Sequence, residues 1–381
     1  MEDNKDSNNI LSAENEKFCK IKEDKNFKHQ SKRNYGIDLL KMLAMVNIIN
    51  LHINRVSKLL KISPKNPKYR QIFRLQTFSF WPVDAFGLIS GIIGYKRYKF
   101  ANLIYLWFES LYYSIILSIY LYSKSLLNSR QLFMSIFPLG IHRLWYVNAY
   151  FFMYLLLPFI INSINIIDKK SFTKIIQWYF IMYSFYHKLN EFNGGKNNYD
   201  FVNNGYSSIW IVTLFIIGGY IGRFYINKPL FSKFIFLIIY LLSSFFTSEF
   251  IFFSLKKYNI SETIFMRYNS PTIIIQAISL IFFFSNLNIQ YKFLRKVIFF
   301  FTPLNFNVTL IHLRIFYFKT RMITKFFNYV RELNAKFLFF KIYGLSLLIY
   351  FICAFFDYFR YLVFKNIKIK NFCYYLEKKL F

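Results

Sequence analysis

Past its first 32 residues the chain alternates between long apolar runs and short polar connectors. The runs cover approximately 36–54, 76–95, 103–122, 144–164, 172–188, 206–226, 231–255, 269–287, 297–318 and 340–364. A helix needs about 20 mostly apolar residues to cross a bilayer core, and most of these runs meet that length. The pattern predicts an all-α, polytopic transmembrane helical bundle of about ten spans, with 172–188, short and Tyr-rich, the weakest. "KLNEFNGGKNNYDFVNNG", 188–205, reads as an exposed loop because Gly and Asn dominate it. No repeat of fixed period is visible. The organisation expected is a polar, disordered cytosolic tail over 1–32, a membrane domain over 33–370 and a short basic C-terminal tail over 371–381.

Composition sharpens this reading. The chain is 55% hydrophobic, with 51 Phe and 31 Tyr in 381 residues, more apolar surface than a soluble domain needs. Its formal charge of +31 could suggest nucleic acid. The Lys and Arg residues sit instead in short clusters between apolar runs, and no nucleic-acid-binding motif is present, so no nucleic-acid partner is expected. Flanking Lys and Arg divide equally between the two sides, so charge alone does not orient the bundle; an even number of spans puts both termini on one side. Cys19, Cys353 and Cys373 form no CxxC pair and no metal-ligand spacing, which supports neither disulfides nor a metal site. The polar N-terminus carries no cleavable signal, leaving the first span to direct insertion.

Charge inside the apolar runs is the feature that points to chemistry, because ionisable groups in a membrane pair up, face the bundle interior or line a wet path. Asp38, Lys41 and His52 lie in the first run, and Asp84, Glu109, Glu249, His312, Arg314, Asp357 and Arg360 in later ones. Asp38 and Lys41 have helical pairing distance, as do Asp357 and Arg360, the latter read as a structural ion pair near a helix end. Glu249 reads as interfacial, and Glu109 requires a partner from another helix. Lys41 and His52, eleven residues apart, fall on nearly the same helical face about 16 Å apart. That face offers a cation near a boundary and an imidazole three turns deeper, fit for a long anionic substrate; the plain alternative is a histidine bonded to a neighbouring helix. His312 divides evenly between structural and substrate-lining roles. Ser90-Gly91 reads as a close helix contact, since no base for a nucleophile stands beside it.

"RNYGIDLLKMLAMVNIINLHIN", 33–54, resembles the opening helix of membrane acyltransferase family 3, integral-membrane O-acyltransferases that use acyl-CoA. The family's Leu-Asp-x-Leu-Arg, followed ten residues later by His, is matched by Ile37-Asp38-Leu39-Leu40-Lys41 and His52, with Lys in place of Arg. "VDAFGLISGIIGYKRYKF" (83–100), "RLWYVNAYFFMYLLLPF" (143–159), "RYNSPTIIIQAISLIFFFSNLNI" (267–289), "FNVTLIHLRIF" (306–316) and "CAFFDYFRYLVFK" (353–365) are similar to later family segments in the same order. The family's paired arginines in the basic turn are replaced by Lys96 and Lys99.

The resemblance implies a plasma-membrane protein with cytoplasmic termini that moves an acyl group, acetyl in the first instance, from acyl-CoA to a hydroxyl of a cell-surface or lipid-linked glycan. It implies His52 as the catalytic residue, with Asp38 as a second catalytic position of the motif. Lys41, Lys96, Arg97 and Lys99 would hold the anionic co-substrate, and Asp84, Glu109, Trp145 and His312 would contribute to the substrate pocket. No tightly bound cofactor is expected. A basic cluster at a helix end is also ordinary membrane topology, and Asp84 equally suits helix pairing. His52 could act as general base or carry the acyl group transiently. The rival reading is a transporter or flippase for a lipid-linked sugar or small solute; a third is a catalytically silent scaffold. Against transport, the chain has only 12 Gly and no pair of Gly/Pro-broken spans in corresponding halves.

Overall fold

The computed structural model describes residues 33–96, 98–139, 144–192, 201–226, 231–258, 265–317 and 320–380. Among them every regular element is helical. In chain order these are α1 (Tyr35–Val56), α2 (Tyr69–Phe78), α3 (Pro82–Gly94), α4 (Phe100–Ser123), α5 (Ser129–Met134), α6 (Trp145–Ile166), α7 (Lys169–Phe180) and α8 (His187–Phe192). They continue with α9 (Ser208–Phe224), α10 (Lys233–Tyr258), α11 (Pro271–Ser285), α12 (Lys292–Phe301), α13 (Asn305–Tyr317), α14 (Arg321–Glu332), α15 (Leu338–Asn366) and α16 (Ile369–Leu380). The body described below begins at Tyr35; residues 1–32 and Arg97 lie outside the described residues.

Among the described residues seven helical stretches are long and apolar enough to cross a membrane: α1, α2 with α3, α4, α6, α10, α12 with α13, and α15. Each falls on a run expected to span. The runs at 206–226 and 269–287 form the shorter apolar helices α9 and α11. The run at 172–188 is broken: α7 passes through a π-helical turn, Ile181–Tyr186, into α8.

Burial separates a central helix from the rim. In α1, 67% of the apolar window is buried, against 28% in α10 and 33% in α15, whose Phe245, Phe246, Phe355 and Phe356 are exposed. A helix wrapped on every side can be apolar all round, whereas rim helices turn phenylalanines toward lipid. Buried amides bind α1 to its neighbours. Asn47 Nδ2 donates to Tyr343 Oη at 3.0 Å, Asn50 Nδ2 to Ser79 Oγ at 2.7 Å, and Asn54 Nδ2 to Gln76 Oε1 at 3.2 Å. Such polar links hold helices where apolar contact alone gives no preference over lipid.

The α2–α3 break follows from Pro82, which cannot continue a helix begun before it. The carbonyl left over at Phe78 accepts from Trp81 Nε1 at 3.1 Å and from Tyr240 Oη at 2.9 Å. Beyond the break, α3 packs against α9 backbone to backbone. A Cβ on Gly91 would overlap the Phe215 carbonyl, and one on Gly218 would overlap that of Leu88. Gly91 is therefore the close helix contact that the sequence suggested for Ser90-Gly91, while Ser90 Oγ donates to the Phe86 carbonyl of its own helix at 2.8 Å.

The interior forms two apolar cores, and α1 feeds both. Leu40, Ala44 and Leu51 join a core with α3, α6, α9 and α11, while Met45, Ile49 and Ile53 join one with α13, α14 and α15. The expected C-terminal tail is instead the amphipathic helix α16, packed along α4. Its Cys373 is fully buried, and Glu377 Oε1 accepts the Phe100 N–H at 2.6 Å. A basic segment read as a tail thus has an apolar face that finds a partner.

Candidate active site

A cavity of about 1050 Å³ lies between the two cores, against α1. Lys41, Met45, Ile48, His52 and Arg55 line it, a 4-3-4-3 spacing that keeps one stripe of α1 turned toward the void. From Lys41 to Arg55 the stripe rises about 21 Å. Val83, Phe86 and Ser90 of α3 line one wall, and Phe306, Thr309 and Leu313 of α13 the other. The volume is at the upper end of ordinary ligand pockets, about 300–1,000 Å³.

At the first end, Lys41 Nζ donates to Asp38 Oδ1 at 3.1 Å. The Lys41 carbonyl accepts from Asn305 Nδ2 at 2.7 Å, which fixes this turn of α1 against α13. Asp38 is one turn from Lys41 but fourteen residues, about 21 Å of helix, from His52. Of the two positions expected to be catalytic, Asp38 thus pairs with Lys41 and does not reach the imidazole of His52.

Deeper in the cavity, His52 Nδ1 stands 2.9 Å from His312 Nε2. His312 Nδ1 stands 2.6 Å from the Val308 carbonyl oxygen, four residues earlier on α13. A carbonyl only accepts, so His312 carries its proton on Nδ1 and presents the Nε2 lone pair to His52. His52 Nδ1 must then be the donor. In neutral His52 this leaves Nε2 with the free lone pair, on a side chain that lines the cavity. His312 itself is 1% exposed and lies behind His52. It stands outside the described cavity lining, between His52 and the α13 backbone.

The far end is aromatic. Trp145, expected in the pocket, lines it and packs with Tyr268 at 5.8 Å and Tyr206 at 5.0 Å between ring centroids. Asn203, Asn204 and Gly205 bring Tyr206 here through three successive left-handed residues (φ 46°, 56° and 87°), a conformation Asn and Gly tolerate best. The stretch read as an exposed loop thus contributes part of the cavity's end at 203–206. Arg55, Arg267, Tyr146, Tyr150 and Ser90 also line the cavity and were not anticipated. For Arg55 a signal was available, since it continues the Lys41–His52 face by one turn.

Other expected site residues lie elsewhere. Asp84 is fully buried and accepts from Trp210 Nε1 at 3.1 Å, joining α3 to α9; it does not line the cavity. Glu109 finds the partner that the sequence required in Arg360, 2.8 Å away, and accepts from Asn307 Nδ2 at 3.0 Å. Arg360 also binds both oxygens of Asp357, at 2.9 and 2.8 Å, and Tyr113 Oη donates to Asp357 at 2.7 Å. This cluster joins α4, α13 and α15 in the core rather than at a helix end, so Glu109 belongs to the scaffold. Glu249 pairs with Arg74 at 2.7 Å, both partly exposed, in keeping with an interfacial place. Lys96 and Lys99 lie in the α3–α4 connection, their ammonium groups over Tyr95 and Tyr374, and outside the cavity lining.

Comparison with protein families, curated proteins and solved structures finds no match to this chain. Among the described residues no group of His, Cys, Asp and Glu is arranged to hold a metal ion.

Proposed function

We propose that the protein is a membrane O-acyltransferase, with His52 as the general base that activates an acceptor hydroxyl. The observation that carries the reading is the relay from His52 through His312 to the Val308 carbonyl. It leaves a lone pair on Nε2 of a side chain lining a large, mostly apolar cavity. The resemblance of residues 33–54 to membrane acyltransferase family 3 supports the same assignment. Acyl-CoA enters from the cytosol at the Lys41 end, and the glycan hydroxyl approaches from the aromatic end. His52 Nε2 takes the hydroxyl proton as the oxygen attacks the thioester carbonyl. The C–O bond forms, the C–S bond breaks, and the proton passes to the departing thiolate. A positioned base of this kind is worth about 10²–10⁴ in rate. Binding both reactants in one water-poor cavity supplies the proximity term.

The deciding experiment measures ester-linked acetate released by mild base from envelope glycans. It compares cells lacking the protein, cells restored with wild type, and cells restored with equally expressed His52→Ala. Acetate returning with wild type alone is the expected result; full return with His52→Ala overturns the assignment. The length of the cavity favours one second reading, passage of a lipid-linked sugar or solute along α1. Solute flux unaffected by His52→Ala, with no acetate difference, would select it.

A further inference from the structure

The polar lining of the cavity is unbalanced. Among the described residues it contains Lys41, Arg55 and Arg267 and no carboxylate. Lys41 is answered by Asp38, and Arg267 by Glu191 at 2.5 Å and by Asn204. Glu191 is further occupied by Lys188 at 2.8 Å and His187 at 3.8 Å. Among the described residues the Arg55 guanidinium has no hydrogen-bond, ion-pair or ring partner. It stands one helical turn beyond His52 and close enough to act electrostatically on both His52 and Tyr268. Arg55 is exposed at the cavity wall, so its guanidinium is accessible to a ligand's charge where the other two lining cations are matched within the chain.

We propose that the Arg55 end of the cavity is a subsite for an oxyanion carried by the acceptor, so that the favoured acceptor is an acidic glycan or polyol, not a neutral one. This rests on the acyl-transfer reading above for the word acceptor, while the subsite itself rests on the lining. The planar guanidinium fork fits a carboxylate or a phosphodiester in two-point fashion. Three residues of helix separate Arg55 from His52, a rise of about 4.5 Å. That spacing suits an anion and a reacting hydroxyl within one sugar or polyol unit. Trp145, Tyr206 and Tyr268 provide flat apolar walls around the unit.

The test reads binding without turnover. The full-length protein in phosphatidylcholine nanodiscs is titrated with trigalacturonate, a glycerol-phosphate trimer and neutral maltotriose. A hydrogen bond to a charged group contributes about 1.5–3 kcal/mol, so at least one anionic probe should bind about tenfold or more tighter than maltotriose. Arg55→Gln should bring the probes to within about threefold of one another, and Arg55→Lys should retain part of the preference. Preference for trigalacturonate alone, the phosphodiester alone, or both supports the subsite and names the source of the anion. Equal binding of all three by wild type, or a preference surviving Arg55→Gln, overturns it. So does a lowered melting temperature in Arg55→Gln with discrimination intact, the signature of a cation that only offsets the helix dipole. Coenzyme A binding weakened tenfold by Arg55→Gln but untouched by Lys41→Gln would assign this end to the donor and also overturn the proposal. None of these outcomes depends on acyl transfer, so failure of the His52 experiment and failure of the subsite are read separately.

Discussion

His312 holds His52 from behind: its Nε2 is 2.9 Å from His52 Nδ1, while its own Nδ1 is anchored to the Val308 carbonyl at 2.6 Å. The anchor fixes both tautomer and ring orientation. Loss of the imidazole at 312 should therefore lower kcat while leaving KM for acyl-CoA unchanged. A misplaced catalytic group costs about a hundredfold, the fall expected for His312→Leu. His312→Gln, which keeps an acceptor, should recover part of it. Steady-state acetyl-CoA turnover in nanodiscs separates the two parameters, and a rise in KM with unchanged kcat would remove His312 from the relay.

The Arg360 cluster predicts a stability effect of another kind. Arg360 is 1% exposed and is the cation paired with two carboxylates, Glu109 and Asp357. Removing one partner of a buried ion cluster leaves uncompensated charge and costs about 3–5 kcal/mol. Arg360→Met should unfold the protein at markedly lower denaturant, and adding Glu109→Gln and Asp357→Asn should restore much of the loss. If the triple variant is no more stable than Arg360→Met, charge is not what the guanidinium supplies.

The α3–α9 contact gives a paired test. Gly91 has no room for a Cβ, whereas at Gly344 on α15 no atom beyond its own stretch of helix backbone lies within 4 Å of where one would stand. Gly91→Ala should destabilise by about 1–3 kcal/mol through overpacking. Gly344→Ala, a glycine replaced by the best helix former, should be neutral or stabilising by up to about 1 kcal/mol. Equal effects in thermal unfolding would show that the backbone contact is not tight.

How much of this was legible in the sequence depends on range. The seven long helices were, because apolar runs of membrane length are a local property. The Asp38–Lys41 and Asp357–Arg360 pairs were too, since three residues of helix bring side chains together. The His52–His312 contact joins residues 260 positions apart, and nothing in either segment names the other. Glu109 announced that it needed a partner but not which one. The π-turn in 181–186 and the amphipathic face of α16 were hidden for a related reason: tertiary packing settles both, where hydropathy is weak.

Packing of α16 along α4 also has a chemical signature. Burial pushes the Cys373 thiol up to about 11. A raised value means less thiolate, so at pH 7 only about 10⁻⁴ of the thiol is in the reactive form. In a Cys19→Ser background, alkylation of the folded protein near neutral pH should be slow, accelerating as pH rises toward 11 and going to completion on denaturation. Rapid modification of Cys373 at pH 7, located by mass spectrometry, would show that α16 does not stay packed.

The placement of the cavity between two cores bears on how readily its selectivity can change. Each core fills itself with its own side chains, and α1 contributes to both from different faces. The void is a seam between two interiors, so trimming a half-buried seam residue such as Ile48 enlarges space already empty, at the cost of its packing against the second core alone. The same helix can therefore keep its imidazole and its cations in register while the seam around them is retailored to ligands of different girth.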